Sequence, residues 1–205
     1  MRPMRLFISG AILSLFGALL LGCGKKQANQ PDTTTFTRAD SLTEHYLSLQ
    51  DSMLRAWNIM IHDDNQKIKD MHNLLHELMV SNPSQRETVA SFEERLHQLP
   101  RMRYTQKSLA NTDVVEEYDF ASNSIITELI TLAESQTEFA YNTTIQKLVD
   151  EIRAADQRVN NYRTDYDSVV ILYNRFISKN RSELKDIVQS NTLETKPMFQ
   201  MVSED

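Results

Sequence analysis

Two histidines four residues apart, His72 and His76, place their imidazoles on one side of a helix, where two ring nitrogens can share a metal ion. His62, Asp63 and Asp64 lie two to three turns upstream of His72, and they break the apolar stripe of that helix. A broken stripe of this kind has two readings: a metal- or ligand-binding group built from His62, Asp64, His72 and His76, or a solvated bulge or register device within a bundle. Glu94-x-x-His97 matches one half of a carboxylate-bridged di-iron motif. The chain has no second Glu-x-x-His, so Glu94 and His97 read as exposed helix residues. No G-x-S-x-G, Cys-His pair or glycine-rich phosphate loop exists to support nucleophilic or phosphoryl chemistry. The residues point to no enzyme, no bound cofactor and no committed metal site.

The remaining reactive side chain is the single cysteine, Cys23. Two arginines, Arg2 and Arg5, precede an uncharged apolar run from Leu6 to Leu21, short for a permanent membrane span. The run ends Leu20-Leu21-Gly22-Cys23, which resembles the bacterial lipoprotein signal, in which the cysteine is acylated and becomes the mature N-terminus. Residues 1–22 are then a cleaved signal peptide and Cys23 is the lipidation site. Gly24 in place of an aspartate favours the outer membrane in signals of that kind. Acylation contributes roughly 0.8 kcal/mol per buried methylene, so a triacylated cysteine is firmly held. Residues 23–40 are polar and aperiodic and read as a tether.

These groups must be positioned by helices. The four glycines, at 10, 17, 22 and 24, all fall near the N-terminus, so tight hairpins and glycine helix stops are scarce beyond them. That composition predicts an all-α domain over residues 41–190, with residues 191–205 as a loosely packed tail. The organising stretch is Ile145–Ile177, where Ile145, Leu148, Ile152, Ala155, Val159, Tyr162, Tyr166, Val169, Tyr173 and Phe176 alternate in steps of three and four. One narrow stripe on so long a helix demands sister helices to cover it. A capping box at Ser41 and Glu44 predicts a first helix from about Leu42 to Asn82-Pro83. A second box at Ser84 and Glu87 opens the next helix, which Pro100 should kink or interrupt. Asn111-Thr112-Asp113 caps a third helix reaching Phe139, and Leu184, Ile187 and Val188 suggest one final short turn. Four helices with short connections predict an up-down four-helix bundle.

The segment Arg158-Val159-x-x-x-Arg163-x-x-Tyr166-Asp167-x-x-x-Val170-x-x-Tyr173-Asn174 resembles the signature of LemA family proteins. Ala56-Trp57, Asn73-Leu74-Leu75 and the ending Lys196-Pro197-Met198-Phe199 resemble further segments of that family. The first aromatic-Asn pair is Tyr166-Asp167 here, and a lipoprotein signal replaces the usual N-terminal membrane helix. The resemblance implies a long-helix bundle at a bacterial envelope, with no enzymatic reaction to carry over. Arg158, Arg163, Tyr166, Tyr173 and Asn174 are the candidate surface for an envelope protein partner; the plainer reading makes the tyrosines core and the arginines members of i,i+4-type pairs. Without residues 1–22 the formal charge is −8, from 20 basic and 28 acidic residues, which disfavours nucleic acid. The expectation is a non-enzymatic, lipid-anchored bundle that faces the periplasm from the outer membrane and binds another envelope protein.

Overall fold

Thr37 opens the first helix by a reciprocal cap: its hydroxyl accepts from the Asp40 backbone N–H while Asp40 accepts from the Thr37 N–H. The computed structural model describes residues 35–188 and 193–200. The signal peptide, Cys23 and most of the tether lie outside the described residues, as do parts of the tail. The cap at Thr37 displaces the one expected at Ser41, so α1 runs Arg38–Ser81, 44 residues and roughly 66 Å. Asn82 stops it, and its side chain caps the short 3-10 turn Pro83–Gln85 that follows; the next helix starts after Gln85 with no side-chain cap, in place of the box expected at Ser84 and Glu87. Helix α2 spans Arg86–Met102. Pro100 sits inside its last turn, where only a terminal hydrogen bond is lost, and the helix ends two residues later.

Asn111 caps α3, Thr112–Glu134, as its sequence predicts. Phe139 lies beyond α3 in the 3-10 turn Thr137–Ala140, and Asn142 caps α4, Thr143–Lys179. Helix α5, Arg181–Val188, is two turns long and buries Leu184 completely. The described residues contain five α-helices and no strand. No described helix is long and apolar enough to cross a membrane.

Cross-helix contacts fix the directions. Tyr46 meets Tyr173, Trp57 meets Tyr166, Asp63 meets Arg158 and Lys67 meets Asp156, so α1 and α4 run antiparallel along their lengths. His72 bonds Glu93, Arg95 bonds Glu128, and Glu134 bonds Arg153. Helices α2 and α3 therefore lie beside the C-terminal half of α1 and the N-terminal half of α4, each antiparallel to the last. The Arg95–Glu128 pair is bidentate, at 2.6 and 2.8 Å, and with Ser124 it holds the Glu128 carboxyl at about 2. At this end Met71, Leu74, Leu75, Leu78, Leu96, Leu99, Leu129 and Ile145 are fully buried in one core. At the other end, α5 and residues 193–200 cover the α1–α4 pair, with Tyr46, Leu49, Tyr173, Ile177, Leu184 and Leu193 forming a second cluster.

The stripe on α4 departs from a strict heptad. Its buried positions run Ile145, Leu148, Ile152 and Ala155, then Arg163, Tyr166, Val170, Tyr173 and Ile177. Two consecutive steps of four, through half-buried Val159, rotate the buried face by one position. Val169 and Phe176 stand at its margin. A straight helix at 3.6 residues per turn drifts about 20° per heptad, and this stutter absorbs the drift.

Leu75, with no exposure, should cost about 2–5 kcal/mol on truncation to alanine. Phe120, at 78% exposed, should tolerate the same change within about 0.5 kcal/mol. Chemical denaturation of the two variants measures both.

Candidate functional site

The gap in the α1 stripe between Met60 and Ile68 is filled by charge. Asp64 and Lys67 occupy core positions there, 9% and 3% exposed. A carboxylate and an ammonium at that depth require partners, because desolvating either alone costs several kcal/mol. Tyr118 of α3 donates its hydroxyl to Asp64 Oδ2 at 2.5 Å, and Arg103, just past α2, brings Nη2 within 2.7 Å of the same oxygen. Lys67 Nζ stands 3.5 Å from Asp64 Oδ1 and 3.7 Å from Asp156 of α4. Beside them Arg163 grips Asp119 through both Nη atoms, at 2.6 and 2.8 Å, and donates to the Tyr104 hydroxyl at 3.1 Å. Burial works against the charges of Arg103 and Arg163, but Asp64 and Asp119 outweigh it and hold both above their ordinary range. Burial, and then the Asp64 charge, push the Tyr118 hydroxyl well up. Asp64, Lys67, Tyr104, Tyr118, Asp119, Asp156 and Arg163 surround a polar cavity of about 140 Å3, lined also by Asp63, Ser122, Asn123, Asn160 and Tyr162.

A second assembly adjoins it. Asn174 donates to the Lys196 carbonyl at 2.9 Å and accepts from the Lys196 N–H at 2.7 Å. Seven residues back, Asp167, wholly buried, accepts from the Phe199 N–H at 2.8 Å. Seven helical residues rise about 10.5 Å, and three extended residues cover about 10 Å, so the tail lies along α4 in register with both side chains. The Phe199 ring then packs against Trp57, Tyr104 and Tyr166, with the Arg163 guanidinium 4.9 Å from its centre. Residues 193–200 are thus clasped, where composition suggested a loose tail.

The sequence-derived groups are redistributed. His72 bonds Glu93, His76 is exposed, and His62 lines a shallow surface depression with Leu54 and Ile59, while Asp64 serves the interior network. The four do not come together, and among the described residues no cluster of three metal-ligating side chains forms. Glu94 and His97 are exposed, with Glu94 bonded to Gln98. Of the proposed partner surface, Tyr166 and Tyr173 are fully buried and Arg163 is 7% exposed. Asn174 is occupied by the tail, and only Arg158 reaches solvent, paired to Asp63 at 2.6 Å. Arg153, Arg158 and Arg163 make their pairs between helices, with Glu134, Asp63 and Asp119, not along α4. Tyr104, Ser122 and Lys67 escaped sequence reading, since isolated polar residues carry no period, and Tyr118 reads from the sequence only as part of the apolar face of the third helix. The one available hint was the aspartate pair falling where α1 needs core.

No family model, curated protein or solved structure matches the chain. The site is therefore read on its own geometry.

Tyr104, Tyr118, Tyr166 and Tyr173 all have their hydroxyl protons held more tightly by burial. In the unfolded chain tyrosine ionises near pH 10. The protonated form is the one the fold favours, so their contribution is complete below about pH 10 and is lost as pH rises beyond it. Denaturation midpoints should hold from pH 7 to 9 and fall steadily above 10. The Tyr166 hydroxyl is buried without a hydrogen-bond partner. Tyr166→Phe should accordingly be neutral or stabilising by about 1 kcal/mol, and should flatten the alkaline slope.

Proposed function

We propose that the chain is a lipid-anchored protein of the bacterial envelope, a divergent LemA-like up-down four-helix bundle that acts without catalysis by binding another envelope protein. Cys23 attaches it to the outer membrane, and the domain begins at Thr37, fourteen residues on. The LemA likeness is supported by the way its segments converge: Trp57, Arg163, Tyr166, Asp167, Asn174, Lys196 and Phe199 belong to one contact network. Residues scattered over most of the domain resemble the family in the places that hold the tail to the bundle.

The observation that carries partner binding lies on α1. Leu47 and Leu54, two turns apart on one face, and Ile59 beside them are each about half exposed. Leu54 and Ile59 line a shallow depression on the surface of α1 together with Asp51, Arg55, Asn58 and His62. Exposed aliphatic side chains interspersed with Asp51, Arg55, Asn58 and His62 suit an amphipathic helix of a partner, with the lipid confining the search to the membrane surface. Helix-face recognition thus moves from α4, whose aromatic residues are core, to the N-terminal half of α1. Its distance from Cys23 along the chain is short.

A photo-crosslinking residue at position 54, in cells carrying the intact lipidation site, should yield a discrete adduct with a membrane-fraction protein. The same probe at Phe120 should yield none. Cys23→Ser should release the protein from the membrane and reduce the Leu54 adduct several-fold. Equal adduct patterns from positions 54 and 120 would remove the support for this surface.

A further inference from the structure

The polar cavity where α1, α3 and α4 meet has no part in that surface, and its chemistry is unusually specific. We propose that it is a binding site for a small zwitterion, an amino acid of the size of glycine or alanine. Size comes first. A cavity of about 150 Å3 accommodates benzene, six non-hydrogen atoms. The cavity here is about 140 Å3, so its occupant is of that order.

The unfilled bonding capacity of its walls says what the occupant carries. Ser122 is 3% exposed and its hydroxyl has no hydrogen-bond partner. Arg163 spends both Nη atoms on Asp119 and Tyr104, and its Nε is buried without a partner. The Lys67 ammonium, 3% exposed, is 3.5 and 3.7 Å from its two carboxylates, outside the ordinary N–H···O range. Three kinds of donor on the cavity wall thus have acceptors to gain, which calls for an oxygen-rich group such as a carboxylate.

Charge decides the rest. Asp63, Asp64 and Asp119 are each matched by an arginine, Arg158, Arg103 and Arg163, which leaves Lys67 facing Asp156. The cavity is balanced. An anion would enter with an uncompensated charge in a poorly solvated place, at a cost of several kcal/mol. A zwitterion supplies the carboxylate and brings its own cation, for which Asp156, with its side chain 39% exposed, offers an acceptor at the cavity's more solvated side. Hydrogen bonds to charged groups make up the affinity, and the volume rejects larger side chains.

Calorimetric titration and thermal melting of the full chain test this, with L-alanine, glycine, acetate, methylammonium and L-tryptophan as probes. Alanine or glycine should bind saturably and raise Tm, with acetate and methylammonium at least tenfold weaker and tryptophan inert. Ser122→Ala should leave the melting temperature of the ligand-free protein unchanged or slightly raised, because that hydroxyl has no bond to lose. It should weaken alanine binding about tenfold or more. Three results would overturn the proposal: no saturable binding of either amino acid up to tens of millimolar, acetate binding as tightly as alanine, or undiminished binding by a folded Ser122→Ala protein. The first leaves a water-filled cavity, the second an anion site and the third a site elsewhere.

Discussion

Asp64 is the point on which the packing of four segments depends. It stands on α1 where the apolar sequence lapses, and its carboxylate is reached by Tyr118 from α3, Arg103 from the end of α2 and Lys67 from its own helix. Lys67 and Asp63 then carry the contact to Asp156 and Arg158 of α4. A hydrophobic stripe tolerates sliding by one helical turn, because leucine replaces leucine. A carboxylate that must meet a phenol, a guanidinium and an ammonium does not. The charged centre thereby sets register for helices of 44 and 37 residues whose apolar faces alone would leave it loosely fixed.

On either side of this centre the molecule uses different means. Toward the α1–α2 and α3–α4 connections, leucine and isoleucine fill a continuous core. Toward the chain termini only α1 and α4 continue, and a two-helix pair exposes much of its own apolar stripe. There α5 and the clasped tail supply the missing cover, with Leu184 and Leu193 closing the second cluster and Phe199 filling the space beside Trp57. Asp167 and Asn174 hold the tail by its backbone, so the tail's position is fixed by amide geometry and its energy by the buried rings. Arg163 couples the two regions, with one face on Asp119 and Tyr104 and the other over Phe199.

Sequence reasoning reached the helices and missed their junctions. Helix content, the Asn82-Pro83 stop and the cap at Asn111 followed from glycine scarcity and local side-chain chemistry. The first helix began early because Thr37 and Asp40 make as good a box as Ser41 and Glu44, and local rules do not rank them. The stripe on α4 was drawn as a strict heptad, which put Tyr162, Val169 and Phe176 on its seam, whereas burial falls on Arg163, Val170 and Ile177. Choosing between adjacent registers needs the partner helices, which one segment's period does not contain. The interior charges were visible only as an interruption. Asp64 and Lys67 look like surface residues until Tyr118 and Arg103, 54 and 39 positions away, are folded against them.

The most direct test of that charged centre is a double-mutant cycle on Asp64 and Arg103 by equilibrium unfolding, using Asp64→Ala, Arg103→Ala and both together. If the pair is the buried joint described, each single change costs about 3–5 kcal/mol because it strands the other charge, and the double variant recovers at least about 1.5 kcal/mol of the summed loss. Additive effects within about 0.5 kcal/mol, or single losses below about 1 kcal/mol, would show instead that the helices are held in register by their apolar faces alone.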